Sequence, residues 1–278
     1  MAEISQGSRN ECISGKQGKS NGDIGLVSII TPSYNCACFV GETIKSLLSQ
    51  TYKNWELLFV DDCSTDDTEI VVASFEDSRI RYFKNEKRCG AAVSRNKALR
   101  EAKGRWIAFL DSDDLWMPNK LDRQITFMEE NGYSFSCTDY SEIDEHSKEL
   151  GIIKSAPKRI SKWGMYAYCW PGCLTIMYDA YKIGLIQIAD VKKNNDYAMW
   201  LKVCFKEDCY LLKENLAQHR KRKGSISNQS YISLIKWHYR LFRQSENLNI
   251  VSSVLMTGVN LLFGVMKKML YVKRYYVD

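Results

Sequence analysis

Hydrophobic positions in the first half of the chain form short, dense runs separated by polar turns. Val27-Ser28-Ile29-Ile30-Thr31 is rich in β-branched residues and closes on Pro32-Ser33-Tyr34-Asn35, which predicts a buried strand and its turn. From about Val40 to Ser49, Ile44, Leu47 and Leu48 share one face at helical spacing. Trp55 to Val60 reads as a second buried strand, and the polar turn 61–67 after it suits the cap of a further helix. A short strand over Arg79 to Phe83 and a helix over Ala91 to Lys103 follow, the helix stopped by Gly104. Trp106 to Leu110 is a strongly apolar strand that runs into Asp111-Ser112-Asp113-Asp114. The second half is less regular. Asn119 to Gly132 is amphipathic through Leu121, Ile125 and Met128, and Asp196 to Phe205 predicts another helix. Phe135 to Thr138, Leu174 to Tyr178 and Tyr210 to Lys213 are expected strands, Gln218 to Ser227 a basic loop, and the region after Tyr231 helical.

This alternation implies right-handed βαβ units, a mainly parallel sheet and the α/β class. Ligands of such sheets sit at the carboxyl ends of the strands. The acidic clusters at 61–62 and 111–114 both fall there. Like charges gathered on one rim repel, and a cation resolves the conflict.

With 278 residues and 45% hydrophobic composition, the chain suffices for one large domain and a small appendage. Residues 1–25 are polar and without periodicity, which predicts a flexible tail and no secretory signal. Ten cysteines are scattered without a CxxC pair, and there are only three His. That pattern argues against zinc and for reduced thiols of a cytosolic protein. The net charge of +6 is uneven: from Ala217 to Asp278 eleven Lys/Arg stand against two Asp/Glu. Such a stretch suits an anionic partner. Nucleic acid is not expected, because the strand-end acids repel its phosphates.

The runs VSIITPSYN (27–35), LLSQTY (47–52), WELLFVDDCSTDD (55–67), AAVSRN (91–96) and IAFLDSDD (107–114), in this order and spacing, resemble family 2 glycosyltransferases. A weaker match continues through NDYAMWLK (195–202) and RKRKGSIS (220–227). The resemblance implies a Rossmann-like GT-A fold over residues 26–228, with a helical, basic and apolar extension over 229–278. It implies an enzyme that moves a sugar from a nucleotide diphosphate donor to a saccharide acceptor with inversion.

The resemblance also distributes roles. It puts Mg²⁺ or Mn²⁺ at Asp111-Ser112-Asp113, with Asp113 the direct ligand and Asp111 facing the donor ribose or sugar, on its own or through the metal. Hard cations prefer carboxylate and phosphate oxygens and stabilise charge gathering on a diphosphate leaving group. Asp114 either contributes or caps the next turn. Thr31, Pro32 and Tyr34 are expected at the nucleotide base, the ring by stacking. Asp62 is expected to accept from a base N–H such as uracil supplies. Asp61 has a second reading, as a cap or a contact within its own turn. Arg95 either lies near the nucleotide or pairs with a rim Asp, and Glu42 either reaches the ribose or base or is solvated. Asp196 is the candidate general base, since the acceptor hydroxyl must lose its proton as it attacks. Its other reading is a helix N-terminal acid favoured by the dipole. The family often has Glu-Asp where this chain has Asn195-Asp196: the Asp is kept and its neighbour differs, so a base at the first residue of the pair would leave this chain impaired. Trp200 is expected to pack within its helix. For His219 and the run Arg220 to Lys223 three readings stand: the donor diphosphate, a lipid-linked diphosphate acceptor, or a solvated loop. His219 is also a candidate second metal ligand.

Residues 248–266 carry no charge, but Asn249, Ser252, Ser253, Thr257 and Asn260 interrupt the run. With Lys267, Lys268, Lys273 and Arg274 beside it, this stretch reads as an interfacial helix before a spanning one, or as a helix packed on the domain. The expected setting is cytoplasmic, peripheral at the inner face of the cell membrane. The absence of a QxxRW motif points to transfer of one sugar, to an acceptor such as a lipid-linked saccharide. UDP-linked donors lead, with dTDP and GDP open; residues 140–175 and 190–200 are expected to select the sugar. The competing class is a non-catalytic partner or scaffold of a polysaccharide assembly complex, which a missing metal motif or base would favour. A nucleotidyltransferase would want a Gly-rich phosphate loop after the first strand, and residues 31–35 are not one.

Overall fold

A computed structural model describes residues 25–188, 193–222 and 231–276; the expected tail, apart from Gly25, and the basic residues from Lys223 onward to Ser227 lie outside them. The chain opens with β1 (Val27–Ser33), α1 (Ala37–Leu48), β2 (Trp55–Asp61), α2 (Thr68–Ala73), β3 (Ile80–Lys84), α3 (Ala91–Glu101) and β4 (Trp106–Phe109). β1 pairs in parallel with β2 and β4, and β2 with β3. Every residue of β1, β2 and β4 is buried, as a parallel strand between two helical layers requires. Ile30, Leu58, Ile107 and Phe109 join one core with Ala98 and Leu99 of α3. Their neighbours Ile29, Leu57, Phe59 and Ala108 join the other with Val40, Ile44 and Leu47 of α1. A Cβ on Gly104 would lie 2.6 Å from both Leu26 O and Ser28 N, so the turn into β4 can press against β1 only as glycine.

The chain continues through β5 (Leu115–Trp116), α4 (Lys120–Asn131), β6 (Phe135–Ile143), β7 (Glu149–Lys154), β8 (Arg159–Ile160), α5 (Lys162–Ala167), β9 (Met177–Asp179), α6 (Ala180–Ile183), α7 (Asn195–Lys206) and β10 (Cys209–Arg220). It ends in α8 (Tyr231–Arg240), a π-turn over 241–245, α9 (Ile250–Leu270) and β11 (Val272–Arg274). The sheet runs β11-β7-β6-β9-β4-β1-β2-β3, with β10 alongside β6. Beyond β4 it turns largely antiparallel: β9 pairs that way with β4 and β6, and β7 with β6 and β11. This is a mixed sheet between helical layers, parallel in the half that the βαβ alternation describes.

Three departures from the expected elements matter. β10 runs to Arg220, so the basic loop expected from Gln218 begins after that residue. His219 and Arg220 extend the strand because β6 is beside them to pair with, in parallel and across two register shifts. The Leu174 to Tyr178 strand begins only at Met177, after a 3₁₀ turn. β11 adds to the outer edge of the sheet through β7, so the C-terminal extension is stitched to the main domain. Trp200 packs as expected, fully buried and edge-on to Phe109 at 4.9 Å.

His238 of α8 is buried edge-on to Tyr197 of α7. Burial pushes its imidazole down to about 4, from an ordinary 6.5. Between those values the unfolded chain holds the extra proton, so stability falls as pH falls through that window. The effect is at most about 3 kcal/mol. Thermal unfolding midpoints should drop from pH 7 to pH 4.5, and His238→Leu should make that drop smaller; an equal drop in both proteins would reject the buried neutral imidazole.

Candidate active site

The rim at the carboxyl ends of β1, β2 and β4 is assembled by short polar contacts. Asn35 takes a left-handed backbone at φ 48°, accepts from the Thr65 N–H at 2.9 Å, and so holds the β1 turn against the β2 turn. Asp61 is spent inside its own surroundings. One oxygen accepts from the Ser64 N–H at 2.8 Å and its hydroxyl at 2.6 Å, and the other from the Tyr82 hydroxyl at 2.6 Å. Asp62 accepts from Asn85 Nδ2 at 2.9 Å, the Cys89 N–H at 2.8 Å and the Gly90 N–H at 2.7 Å. That leaves about one of its roughly four acceptor positions for a ligand. Gly90, at φ 88°, is the residue before α3, so Asp62 sets where that helix begins.

Thr31 and Pro32, expected at the base, are buried, and Thr31 is wholly shielded with its hydroxyl unpartnered. Their side chains shape the floor of the rim and are not presented at its surface. What this strand end can offer a ligand from Thr31 is therefore its backbone and not its hydroxyl. Tyr34 is half-buried, and the Arg88 guanidinium lies 3.9 Å from its ring centroid, covering one face.

The turn after β4 carries the densest negative charge. Thr43 of α1 donates to Ser112 O at 3.0 Å and Asp114 O at 2.9 Å, and fixes its path. The Asp111 carboxylate is 36% exposed and pairs with Arg95 Nη2 at 2.5 Å. Asp113 is 17% exposed and pairs with Arg222 Nε at 2.7 Å. Burial pushes the Asp113 carboxyl above its usual range, Asp111 adds to that, and Arg222 opposes it. Burial does the same, more strongly, to Asp114, whose Oδ1 accepts from the Arg220 N–H at 2.9 Å. Asp114 therefore anchors β10, a structural contact that differs from the expected cap of the next turn. Among the described residues no group of three or more His, Cys, Asp or Glu could hold a metal ion by itself. The donor set of Asp111 and Asp113 instead fits a cation completed by phosphate oxygens, the usual arrangement for Mg²⁺ at a nucleotide.

Arg95 is buried, and its Nη1 donates to Asn195 Oδ1 at 2.9 Å while Nη2 holds Asp111. Burial by itself would lower its affinity for the proton, but the negative surroundings, Asp111 first and Asp196 among them, together outweigh that, and the net shift is upward. One guanidinium thus links the end of β4 to the first turn of α7. Asp196 stands next in that turn, and its Oδ1 accepts from the Tyr197 N–H at 2.8 Å. Asn195, the position that departs from the family pattern, is an acceptor for Arg95 here.

Arg220 overturns the solvated-loop reading for its own position. Its side chain is 0% exposed. Nε donates to Asp113 O at 2.8 Å, Nη1 to Ser147 Oγ at 2.8 Å, and Nη2 to Glu42 Oε2 at 2.8 Å. Glu42 is accordingly clamped and not merely solvated: the Ser147 hydroxyl and then Arg220 hold its carboxyl below the usual range. His219 Nδ1 lies 4.0 Å from a Glu142 carboxylate oxygen, and its ring is edge-on to Tyr140. Burial pushes its imidazole down to about 4. It is not grouped with Asp111 and Asp113, which removes the second-metal-ligand reading. The clamp of Arg220, Glu42 and Ser147 escaped the sequence reading; the only trace was a dense basic run facing a dense acidic one.

The family model described as Glycosyl transferase family 2 matches residues 28–182. The putative teichuronic acid biosynthesis glycosyltransferase TuaG of Bacillus subtilis is 38% identical over 231 residues, covering 82% of this chain and 91% of the relative. The UDP-Glc:α-D-GlcNAc-diphosphoundecaprenol β-1,3-glucosyltransferase WfgD of Escherichia coli is 44% identical over 178 residues, covering 64% of this chain and 69% of the relative. Among solved structures, S. aureus TarS 1–349 in complex with UDP-GlcNAc superposes with a TM-score of 0.68 at 21% identity, covering 85% of this chain and 71% of that one. At that identity the likeness speaks for the fold.

Removing the buried Arg220 charge strands Glu42 and several carbonyls, at a cost of about 3 kcal/mol or more. Arg222, partly exposed in a single ion pair, should contribute under about 1 kcal/mol. Thermal denaturation of Arg220→Met and Arg222→Met should therefore separate by several degrees, with Arg220→Met the less stable; the reverse order would exchange their roles.

Proposed function

The chain belongs to glycosyl transferase family 2, and on that footing we propose that it moves one sugar, from a UDP-sugar in first place, to a saccharide carried on a lipid diphosphate, with inversion. The observation that carries the reading is the meeting of Asp111 and the first turn of α7 on the Arg95 guanidinium, with Asp113 two residues along the same turn. It brings a leaving-group side and a base side to one rim.

Enzymes of this family generally draw on a divalent cation. A Mg²⁺ or Mn²⁺ shared by Asp113, Asp111 and the donor diphosphate would neutralise the charge that grows on the leaving group. Arg222, drawn to the rim by Asp113, brings further positive charge for the same diphosphate. The base stacks on the face of Tyr34 that Arg88 leaves open, above the floor made by Thr31 and Pro32. Its N–H meets the remaining acceptor position of Asp62. Arg95 keeps Asp111 oriented toward the donor.

In the transfer, the acceptor hydroxyl oxygen attacks the anomeric carbon and its proton passes to Asp196. The bond from that carbon to the diphosphate oxygen breaks, and the nucleoside diphosphate departs with the electron pair. A single displacement inverts the centre. Residues 26–228 form the catalytic unit and 229–278 its extension. The acceptor class follows the Escherichia coli relative named for α-D-GlcNAc-diphosphoundecaprenol, and the Bacillus subtilis relative named for teichuronic acid biosynthesis supports a role in surface polysaccharide synthesis, at the cytoplasmic face of the membrane in this reading.

Two substitutions separate the roles. Asp113→Asn should abolish the Mn²⁺-dependent part of UDP binding, read by titration calorimetry with and without EDTA. Asp196→Asn should bind UDP as the parent does and lose transfer by roughly a hundredfold or more, the range of a positioned base. Full transfer by Asp196→Asn would remove it as the base, and UDP binding indifferent to both EDTA and Asp113→Asn would remove the cation.

A further inference from the structure

α9 has its polar side turned inward. Ser253, Thr257, Asn260 and Lys267 form the buried stripe, at helical spacing. Val251, Val254, Leu255, Leu262, Val265 and Met269 form the opposite stripe, each more than half exposed. A surface helix of a water-soluble domain places these the other way round.

The inward groups are satisfied where they lie. Ser253 Oγ donates to Asn249 O at 2.8 Å, and Thr257 Oγ1 to Ser253 O at 2.7 Å. Asn260 Nδ2 donates to the Tyr197 hydroxyl at 2.9 Å, and Lys267 Nζ to Trp170 O. At Gly264 a Cβ would come within 3.1 Å of the Tyr168 ring, so the helix lies tight on the domain. The polar face is committed to the protein, and the apolar stripe faces outward. By length and composition α9 could cross a bilayer. Crossing would pull Asn260 and Lys267 off their partners and into hydrocarbon, which is costly. Lying in the interface keeps both contacts and covers the stripe.

We propose that α9 is an in-plane membrane anchor, its Val251–Met269 stripe sunk into the interfacial layer of an anionic bilayer and Lys268, Lys273 and Arg274 set toward the headgroups. Charge selects this occupant. Lys268 at the end of α9 and Lys273 and Arg274 in β11 are exposed beside the stripe, and anionic headgroups attract such a surface. A second copy packed through the same stripe would set two positive surfaces against each other. The inference rests on the proposed action at a lipid-linked acceptor, and adds the element, the face and the lipid charge. It also ties the anchor to the site: Asn260 holds the Tyr197 hydroxyl, and the Tyr197 N–H holds Asp196. The bilayer plane and the base are therefore separated by one helix-to-helix contact.

The test is sedimentation of the full chain with vesicles of phosphatidylcholine alone and of phosphatidylcholine with phosphatidylglycerol. The anionic vesicles should bind it more strongly, by roughly tenfold or more. Leu255→Glu with Leu262→Glu should lower that binding by roughly tenfold or more while leaving the thermal midpoint and Mn²⁺-dependent UDP binding in place. Binding of the double variant equal to that of the parent would overturn the proposal. So would a parent that ignores vesicles but forms a dimer, by light scattering, that the double variant dissolves. Vesicle binding with no transfer to a lipid-linked saccharide would sink the acceptor reading and leave the anchor standing.

Discussion

Asp111, Asp113 and Asp114 stand within four residues at the end of a buried strand, and carboxylates so close repel one another in a poorly solvated place. The surrounding structure is arranged to offset that repulsion. Arg95 comes from α3 to Asp111, Arg222 from beyond β10 to Asp113, and the Arg220 N–H from β10 to Asp114. Each neutralising group brings its element with it. α3, α7 and β10 meet at this turn because the charge there needs them, and the opening they leave has carboxylates on its surface and cations behind them. A doubly charged diphosphate with its own cation suits that arrangement, since it satisfies the carboxylates and the guanidinium groups together.

The two buried arginines divide the labour. Arg95 joins Asp111 to the start of α7, so the distance between the turn after β4 and that helix is set by one rigid planar group. Arg220 is withdrawn from solvent and clamps the back of the same turn to α1, through Glu42, and to the β6–β7 loop, through Ser147. Behind α7 lies α9, whose polar stripe is buried against the domain and whose apolar stripe is not. Rim, α7 and outward stripe thus form a single stack.

The first half of the chain was largely legible in order of residues. β1, β2 and β4 are buried on both faces, so their apolar runs are continuous; the helices between them show one-sided periodicity; Gly104 and Gly132 mark places where only glycine fits or a left-handed cap is needed. The acidic turns at strand ends followed from the same alternation. β7 and β11 were not legible, because short strands at the outer end of the sheet that carry charged residues have no period of their own and form only when a neighbour offers a ladder.

The candidate site divides along the same line. Sequence alone determined the alternating α/β order, the rim on which Asp111 and Asp113 lie, and the family likeness, because strand ends and charge clusters are local properties of a chain. Tertiary structure alone decided that Asp61 and Asp114 are tied up in structural contacts, that Thr31 is shielded, that His219 faces Glu142, and that Arg220 is a buried clamp. It also decided which side of α9 faces outward. Those outcomes depend on partners up to 178 residues away, as between Glu42 and Arg220, and a partner at that range leaves no period or spacing in the sequence to be read.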